Sequence, residues 1–257
     1  MSGQRGMFIK VARATAEESM VSGQYAMALF AASLVTSLFI MFTSYFSESG
    51  VKGNLAMTIY VAMVVVMVVA AVLATASFSG EIDGRTMDLL FSLPIGRSTL
   101  YLGKLAGIMV AMVPVVAMPF ITYLLLLSTV TGAVPHMLLS MAAGLFVLSV
   151  LMTAAIVAAV AFLSLLLRRT LYTLGAAGAY LMTMIFLAPT LNDFSGQRII
   201  YAPDYALLFP FPYAVIAAAT KSVRVLNEVN PLLHVTLLLF ILIATVLGLA
   251  VIRRMEL

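Results

Sequence analysis

The chain has no cysteine and little charge for its length. Its 257 residues include no Cys, which excludes disulfide bonds and metal sites built on thiolates. Only 9% of the residues are charged and 63% are hydrophobic, whereas an ordinary soluble chain carries about 25% charged residues. A soluble fold is therefore excluded. The net charge of +4 is spread over segments that flank apolar runs, so it does not indicate nucleic-acid binding.

Six apolar runs are each close to or above the roughly 20 residues that a helix needs to cross a bilayer. They lie at residues 25–46, 54–78, 105–130, 137–167, 171–189 and 232–252. The sequence therefore predicts an all-α integral membrane protein with six transmembrane helices, in a single transmembrane domain over residues 1–257.

The Lys and Arg residues predict the orientation of these helices. If the N-terminus is inside, ten of the 14 Lys and Arg residues fall in inner segments, and the four outer ones are Lys52, Arg198, Lys221 and Arg224. This asymmetry favours a multi-pass protein of the cell membrane with both termini in the cytoplasm.

Ionisable groups are missing from the runs. The runs contain no Asp, Glu, Lys or Arg, and His136 and His234 lie at or near run ends. Proton-coupled carriers and voltage sensors normally need intramembrane charges, and an intramembrane protease needs Ser/His or paired Asp residues at depth. Some sodium-coupled carriers use only backbone carbonyls of broken helices, so a secondary carrier or channel remains an alternative. A transporter without coupling groups of its own must obtain energy from a partner.

Residues 79–104 form a long charged interval between the second and third runs. Thr86 can cap a short helix there, Asp88 lies in its first turn, and Pro94 ends it. The apolar residues of this helix share one face at i, i+3, i+4 spacing: Met87, Leu90 and Phe91. Such a helix between two spans is suited to transmitting force to a soluble partner, and the alternative is a helix on lipid headgroups.

Glu81 lies near the inner end of the second predicted span. Arg85 follows four residues later, so an exposed i, i+4 ion pair is one arrangement. A carboxylate at a helix C-terminus opposes the helix dipole. A specific cationic partner in an adjoining helix or subunit is therefore the other arrangement.

The first 24 residues predict an N-terminal amphipathic helix at the membrane interface. One face carries Met7, Phe8, Val11, Ala12 and Thr15. The opposite face carries Lys10, Arg13 and Glu17. This helix lies along the membrane surface or rests on a partner subunit, and the pattern is compatible with both.

The interval 190–231 predicts an extracellular loop. Residues 206–219 are too apolar for an ordinary solvated loop, and Pro210 and Pro212 interrupt them before they could cross the bilayer. We therefore expect short re-entrant helices in the outer leaflet between the fifth and sixth spans.

Hydroxyl groups are the main polar groups within the runs. The candidates for a weakly polar cavity lining are Ser33, Ser37, Ser44, Thr173, Tyr180 and Thr183. The alternative is that these residues serve helix packing. The 18 Met residues raise the question of soft-metal transport, but Met is also a common space-filler in apolar helices and no Cys completes a site. No metal site is predicted.

The charged interval resembles a family pattern. With the residues after it, the interval is similar to the E-x-x-x-G-T-x-x-x-L-x-S-x-P-x-x-R…G-K-L pattern of ABC-2-type transporter permeases. The matching residues are Glu81, Gly84, Thr86, Leu90, Ser92, Pro94, Arg97, Gly103, Lys104 and Leu105. Arg85 departs from the pattern by separating Gly84 from Thr86. The six-helix plan and the interfacial N-terminal helix extend the resemblance over nearly the whole chain.

The resemblance implies a half-transporter in which two permease chains, identical or different, work with two cytoplasmic ATPase subunits. The helix after the second span would be the coupling helix, whose ATPase-docking residues are Thr86, Met87, Asp88, Leu90 and Phe91. Glu81 and Arg97 would anchor the ends of this coupling loop. The solute would be an amphipathic compound, a peptide or a lipid-like molecule, exported through a cavity at the dimer axis.

The chain contains no phosphate-binding loop ending in Gly-Lys-Ser/Thr. We therefore expect ATP and Mg²⁺ to bind to the partner ATPase, with no cofactor in this chain and no enzymatic activity of its own. A membrane scaffold or immunity protein without transport activity is a further alternative.

Overall fold

The computed structural model describes residues 2–46, 50–92, 95–131, 136–183 and 231–255. Its helices are α1 (Ser2–Val21), α2 (Gly23–Phe46), α3 (Gly50–Thr75), α4 (Glu81–Asp83), α5 (Thr86–Ser92), α6 (Arg97–Thr131), α7 (His136–Leu167), α8 (Thr170–Met182) and α9 (Pro231–Arg254). A π-turn, Ala76–Gly80, joins α3 to α4. There is no strand in these ranges, so the predicted all-helical class is confirmed.

Four segments of the described chain are long and apolar enough to cross a membrane: Val61–Asp83, Arg97–Leu126, Ala142–Leu167 and Leu237–Arg254. A fifth arises if Gly6–Val21 and Tyr25–Leu38, which are bent by 67°, count as one span. The predicted fifth run, 171–189, is described only as far as Thr183. The interval 190–231, predicted to be an extracellular loop with re-entrant helices, lies outside the described residues as far as residue 230.

The core forms where α3, α6, α7 and α9 pack against one another. Small and flexible side chains fill it, among them Met63, Met67 and Met112, which are fully buried. Because these Met side chains pack in the core, they fill space as Met commonly does in apolar interiors. Among the described residues, no cluster of three or more His, Asp and Glu could hold a metal ion.

Helix α6 begins earlier than the hydropathy pattern predicts. It starts at Arg97, whereas the third apolar run starts at Leu105, because charged residues at the edge of an apolar run can continue its helix. Lys104 is therefore a helical residue and lies inside the protein. The helix continues through Pro114 and Pro119.

Helix α1 packs along the first part of α6. A Cβ atom at Gly103 would lie 2.8 Å from Val11 Cγ1, and one at Gly107 would lie 2.5 Å from the carbonyl oxygen of Ala12. Only glycine permits so close an approach of two helices, as in small-residue helix contacts in membranes. The face predicted to lie on lipid or on a partner subunit thus contacts α6 of the same chain.

Candidate functional site

Polar side chains that bridge different helices gather at one end of the helix bundle, which we call the polar end. It comprises the π-turn, α4, α5, the start of α6 and the last residues of α9. Hydrogen bonds between these segments define it: Lys104 to Ser77, Arg97 to Met255, and Arg253 to Ser98.

Lys104 of α6 forms a partly buried ion pair with Glu81, the first residue of α4, whose side chain is 20% exposed. Lys104 is only 4% exposed, and its Nζ also donates a hydrogen bond to the carbonyl oxygen of Ser77, at 3.0 Å. The same Nζ lies 5.9 Å from the ring centroid of Phe78. Of the two arrangements considered for Glu81, the structure shows a cationic partner in an adjoining helix rather than a pair with Arg85.

The π-turn is tied to two further helices through Ser79. This residue is fully buried, and its Oγ lies 2.6 Å from Thr173 Oγ1 of α8. Ser79 Oγ also donates to the carbonyl oxygen of Ser164 of α7, at 3.4 Å. π-turns inside helices are rare and frequently occur at functional sites. Here the turn joins α3 to α6, α7 and α8 at one level of the bundle.

A tight turn separates α4 from α5. The N–H of Gly84 donates to the carbonyl oxygen of Gly80, at 2.9 Å, and Arg85 has a φ of 58°. This left-handed conformation favours glycine, and an ordinary side chain adopts it at a cost. The family pattern places Gly directly before Thr, so the inserted Arg85 occupies the position at which glycine would be expected. The hydroxyl of Thr86 donates back to the carbonyl oxygen of Glu81, at 3.2 Å.

Helix α5 turns its apolar face inward. Met87 is 2% exposed and belongs to the core, and Leu90 and Phe91 are half-buried against that core. Among the described side chains, those exposed around the start of α5 are Asp83, Arg85 and Thr86, and Ser92 is exposed at its end. The side chain of Asp88 lies outside the described part of the structure.

Arg97 fixes the other end of the segment. Its guanidinium lies 5.1 Å from the ring centroid of Phe91, within the range of a cation–π interaction. Its Nη1 donates to the carbonyl oxygen of Met255 at the end of α9. Arg253 Nε of α9 donates to Ser98 Oγ, at 3.1 Å. The corner between α5 and α6 is therefore attached to the end of α9.

The structure does not gather the predicted cavity hydroxyls around one described space. On α2, Ser37 donates to the carbonyl oxygen of Ser33, at 2.9 Å. On α8, Thr183 donates to the carbonyl oxygen of Ala179, at 2.8 Å. Thr173 is buried against Ser79. The hydroxyl of Tyr180 is buried, with no hydrogen-bond partner among the described residues.

The side chain of Ser44 lies outside the described part of the structure. The Ser33 hydroxyl, like that of Tyr180, is buried with no hydrogen-bond partner among the described residues, whereas Ser37, Thr173 and Thr183 bond to their own helix or to a neighbouring segment. The cavity lining and the packing role of these hydroxyl groups both stay predictions.

Sequence reasoning missed three features of this site: the buried position of Lys104, the π-turn, and the close contact of α1 with α6 at Gly103 and Gly107. Lys104 was only part of a family pattern, and nothing in the sequence marked the π-turn. The spacing Gly103-x-x-x-Gly107 was the one available signal, because small residues four apart let helices approach closely.

These observations define a helical, multi-pass membrane protein in which a short helical segment is held between two spans at one end of the bundle. Residues 7–257 match the family model described as ABC-2 family transporter protein. The chain belongs to this family, and it is a permease component of an ABC transporter. Membership implies association with an ABC ATPase subunit. No curated protein matches the chain.

Proposed function

We propose that the chain is the membrane subunit of an ATP-driven exporter of the cell membrane. Two permease chains work with two copies of a cytoplasmic ATPase, and each permease chain has six spans and both termini in the cytoplasm. The polar end then faces the ATPases, and α4 with α5 forms the coupling segment. Family membership and the anchored coupling segment support this proposal.

The observation that carries the proposal is the way in which the coupling segment is anchored at both ends. At its start, Glu81 is paired with Lys104 of α6. At its end, Arg97 contacts Phe91 and the last turn of α9. Because both anchors are largely buried, a force on the segment would be passed to α3, α6 and α9 rather than absorbed by a loose loop.

The burial of α5 refines the docking surface. Met87 lies in the core, so it supports α5 from within rather than touching the ATPase. The exposed turn with Asp83, Arg85 and Thr86 meets the ATPase first, and the half-buried Leu90 and Phe91 lie at the edge of the contact.

The second permease chain packs on α8. Leu171 is 78% exposed and Tyr172 is 63% exposed, and a Cβ atom at Gly175 or Gly178 would meet nothing within 4 Å. Small residues with an open side permit a close approach of another helix in the membrane. The solute pathway lies beside this contact and takes an amphipathic compound, a peptide or a lipid-like molecule.

The proposal is tested by replacing both Leu90 and Phe91 with Asp and purifying the chain together with its ATPase. We expect the ATPase to be lost while membrane insertion stays normal, because two carboxylates at the edge of the contact must be desolvated on docking. Arg85→Glu tests the exposed turn without touching the core, and Arg169→Glu, at another exposed position, is its matched control. Retained co-purification with full ATP-dependent transport in both docking variants would contradict the proposal.

A further inference from the structure

The π-turn sets the direction in which the coupling segment points. A π-turn holds one residue more than the α-helical turn it replaces. Every residue after Ala76–Gly80 is therefore rotated by about 100° around the axis of α3, and displaced by about 1.5 Å along it, relative to an uninterrupted α-helix. The orientation of α4 and α5 thus depends on whether this one extra residue stays in the turn.

Besides the bonds of Ser79 to α7 and α8, the turn and the residue after it are held by Lys104. One ammonium group accepts no hydrogen bond and donates three. Here it bonds the carbonyl oxygen of Ser77 within the turn and pairs with Glu81 directly after it. It also lies close to the ring of Phe78. Lys104 therefore contacts the turn at three neighbouring residues, from a helix that starts at the far end of the coupling segment.

The Glu81–Lys104 pair is incompletely satisfied. Glu81 Oε2 is buried and has no hydrogen-bond partner among the described residues. A buried ion pair repays its desolvation only when its remaining lone pairs are also hydrogen-bonded. The pair therefore stabilises the π-turn only moderately. The conformation in which this turn is an ordinary α-helix stays accessible, as a conformational change of the segment requires.

We infer that Lys104 is a positioning residue that keeps the extra residue of α3 in the π-turn, and so fixes the orientation of α4 and α5. When the contact is lost, the turn relaxes to α-helix and the coupling segment rotates. This exchange would let the ATPase change the direction of the segment relative to α6. Its meaning for transport rests on the proposed function.

The absence of Cys from the chain permits a direct test with single cysteines in membrane vesicles. In the parent chain, Met87→Cys should be protected from a polar maleimide because position 87 is buried, and Asp83→Cys should react at once. The double variant K104M/E81M leaves no unpaired buried charge. In this variant we expect the rate of maleimide labelling at position 87 to rise to the labelling rate at position 83. Continued protection of position 87 in this variant would overturn the inference.

A deletion separates orientation from simple stabilisation. Ala76 is exposed, so removing it takes away the extra residue without removing a core contact. Deleting Ala76 from K104M/E81M should restore protection at position 87, because a shorter α-helix brings the coupling segment back to its original angle. If Lys104 only stabilised the protein, the deletion would leave position 87 reactive. Replacing the exposed pair Arg13 and Glu17 with Met and Gln is the control and should change no labelling rate.

The labelling is measured on the permease without ATPase or nucleotide, so it is independent of the proposed function. An unchanged labelling pattern with normal capture of the ATPase would overturn the inference and leave the proposed function intact. The expected labelling pattern without any capture of the ATPase would support the inference on Lys104 and contradict the proposed function.

Discussion

The polar end and the surface of α8 use the same kinds of residue in opposite ways. At the polar end, Gly103 and Gly107 lie against the backbone and side chains of α1, with no room for a Cβ atom. On α8, Gly175 and Gly178 have open space where a Cβ atom would stand. Within the described residues, the chain thus packs closely at the polar end and leaves one side of α8 uncovered, which is where a second chain is placed under the proposed function.

Polar contacts show the same division. At the polar end they bridge helices that are distant in sequence, as in the pairs Lys104–Glu81 and Ser79–Thr173. On α2 and at the end of α8, the hydroxyls of Ser37 and Thr183 bond to their own helix. Cross-helix polar contacts transmit displacement between helices, whereas bonds within one helix leave it free to slide against its neighbours. The polar end is therefore the part of the chain in which a displacement of one segment reaches the neighbouring helices.

The largest expected effect follows from removing the charge of Lys104. The variant Lys104→Met leaves the Glu81 carboxylate buried and unpaired, which costs about 3–5 kcal/mol of unfolding free energy. The double variant with Glu81→Met should recover only part of that loss, because it leaves no unpaired charge but no longer holds Met87 in the core. Thermal unfolding of the detergent-solubilised chain measures both. The exposed pair offers the contrast: Arg13→Met should leave the melting temperature unchanged. Equal melting temperatures for Lys104→Met and the parent chain would show that the ion pair at the polar end does not stabilise the fold.

A smaller loss of stability is expected when one methyl group is added at the glycine contact between α1 and α6. In Gly107→Ala, the new Cβ would lie 2.5 Å from the carbonyl oxygen of Ala12. Helix α1 must therefore shift, and overpacking of this kind costs about 1–3 kcal/mol. Limited proteolysis of α1 and the melting temperature report the loss.

Gly178→Ala is the matched control for this change. Nothing stands within 4 Å of its Cβ position, and Ala is favoured over Gly inside a helix by about 0.5–1 kcal/mol. The single chain should thus keep or gain stability. A loss of stability at position 178 as large as that at position 107 would show that α8 is not open.

The smallest effect concerns the left-handed residue of the coupling turn. Arg85→Gly should raise the free energy of unfolding by about 1 kcal/mol, because glycine adopts positive φ without the penalty of a Cβ atom. Asp83→Gly in α4 is the control and should lower it by about 0.3 kcal/mol, since glycine weakens a helix slightly more than Asp does. Chemical unfolding monitored by circular dichroism compares the two variants. A destabilising Arg85→Gly would mean that the guanidinium group makes a contact that outweighs the backbone penalty.

The long helices could be predicted from the sequence because apolar runs of spanning length depend on composition alone. The runs 25–46 and 137–167 correspond closely to α2 (Gly23–Phe46) and α7 (His136–Leu167). Helix ends at the membrane edge could not be predicted in this way, since charged residues such as Arg97 also continue a helix. The short helix after residue 85 was predicted from the pattern that starts at Thr86, and the structure has it at Thr86–Ser92. Pro94, its predicted stop, lies outside the described residues.

The contacts of the site were harder to predict than its elements. The sequence indicated a cationic partner for Glu81, either Arg85 or a residue of an adjoining helix or subunit. The partner is Lys104, 23 positions away, and only the packing of α3 against α6 brings the two residues together. The apolar face of α5 was also recognisable, yet periodicity shows only that a face will be covered and not by what. Met87 is covered by the chain's own core. The π-turn had no signal, because one extra residue in an apolar helix leaves the composition unchanged.

The most direct measurement is the distance between the coupling segment and the turn that joins α7 to α8, in the complex with the ATPase. Because the chain lacks Cys, nitroxide labels at Asp83→Cys and Arg169→Cys are unique, and double electron–electron resonance reports their separation. We predict that a non-hydrolysable ATP analogue shifts this distance distribution and that K104M/E81M removes the shift. An identical distribution with and without nucleotide, in a complex that hydrolyses ATP and moves solute, would contradict the account.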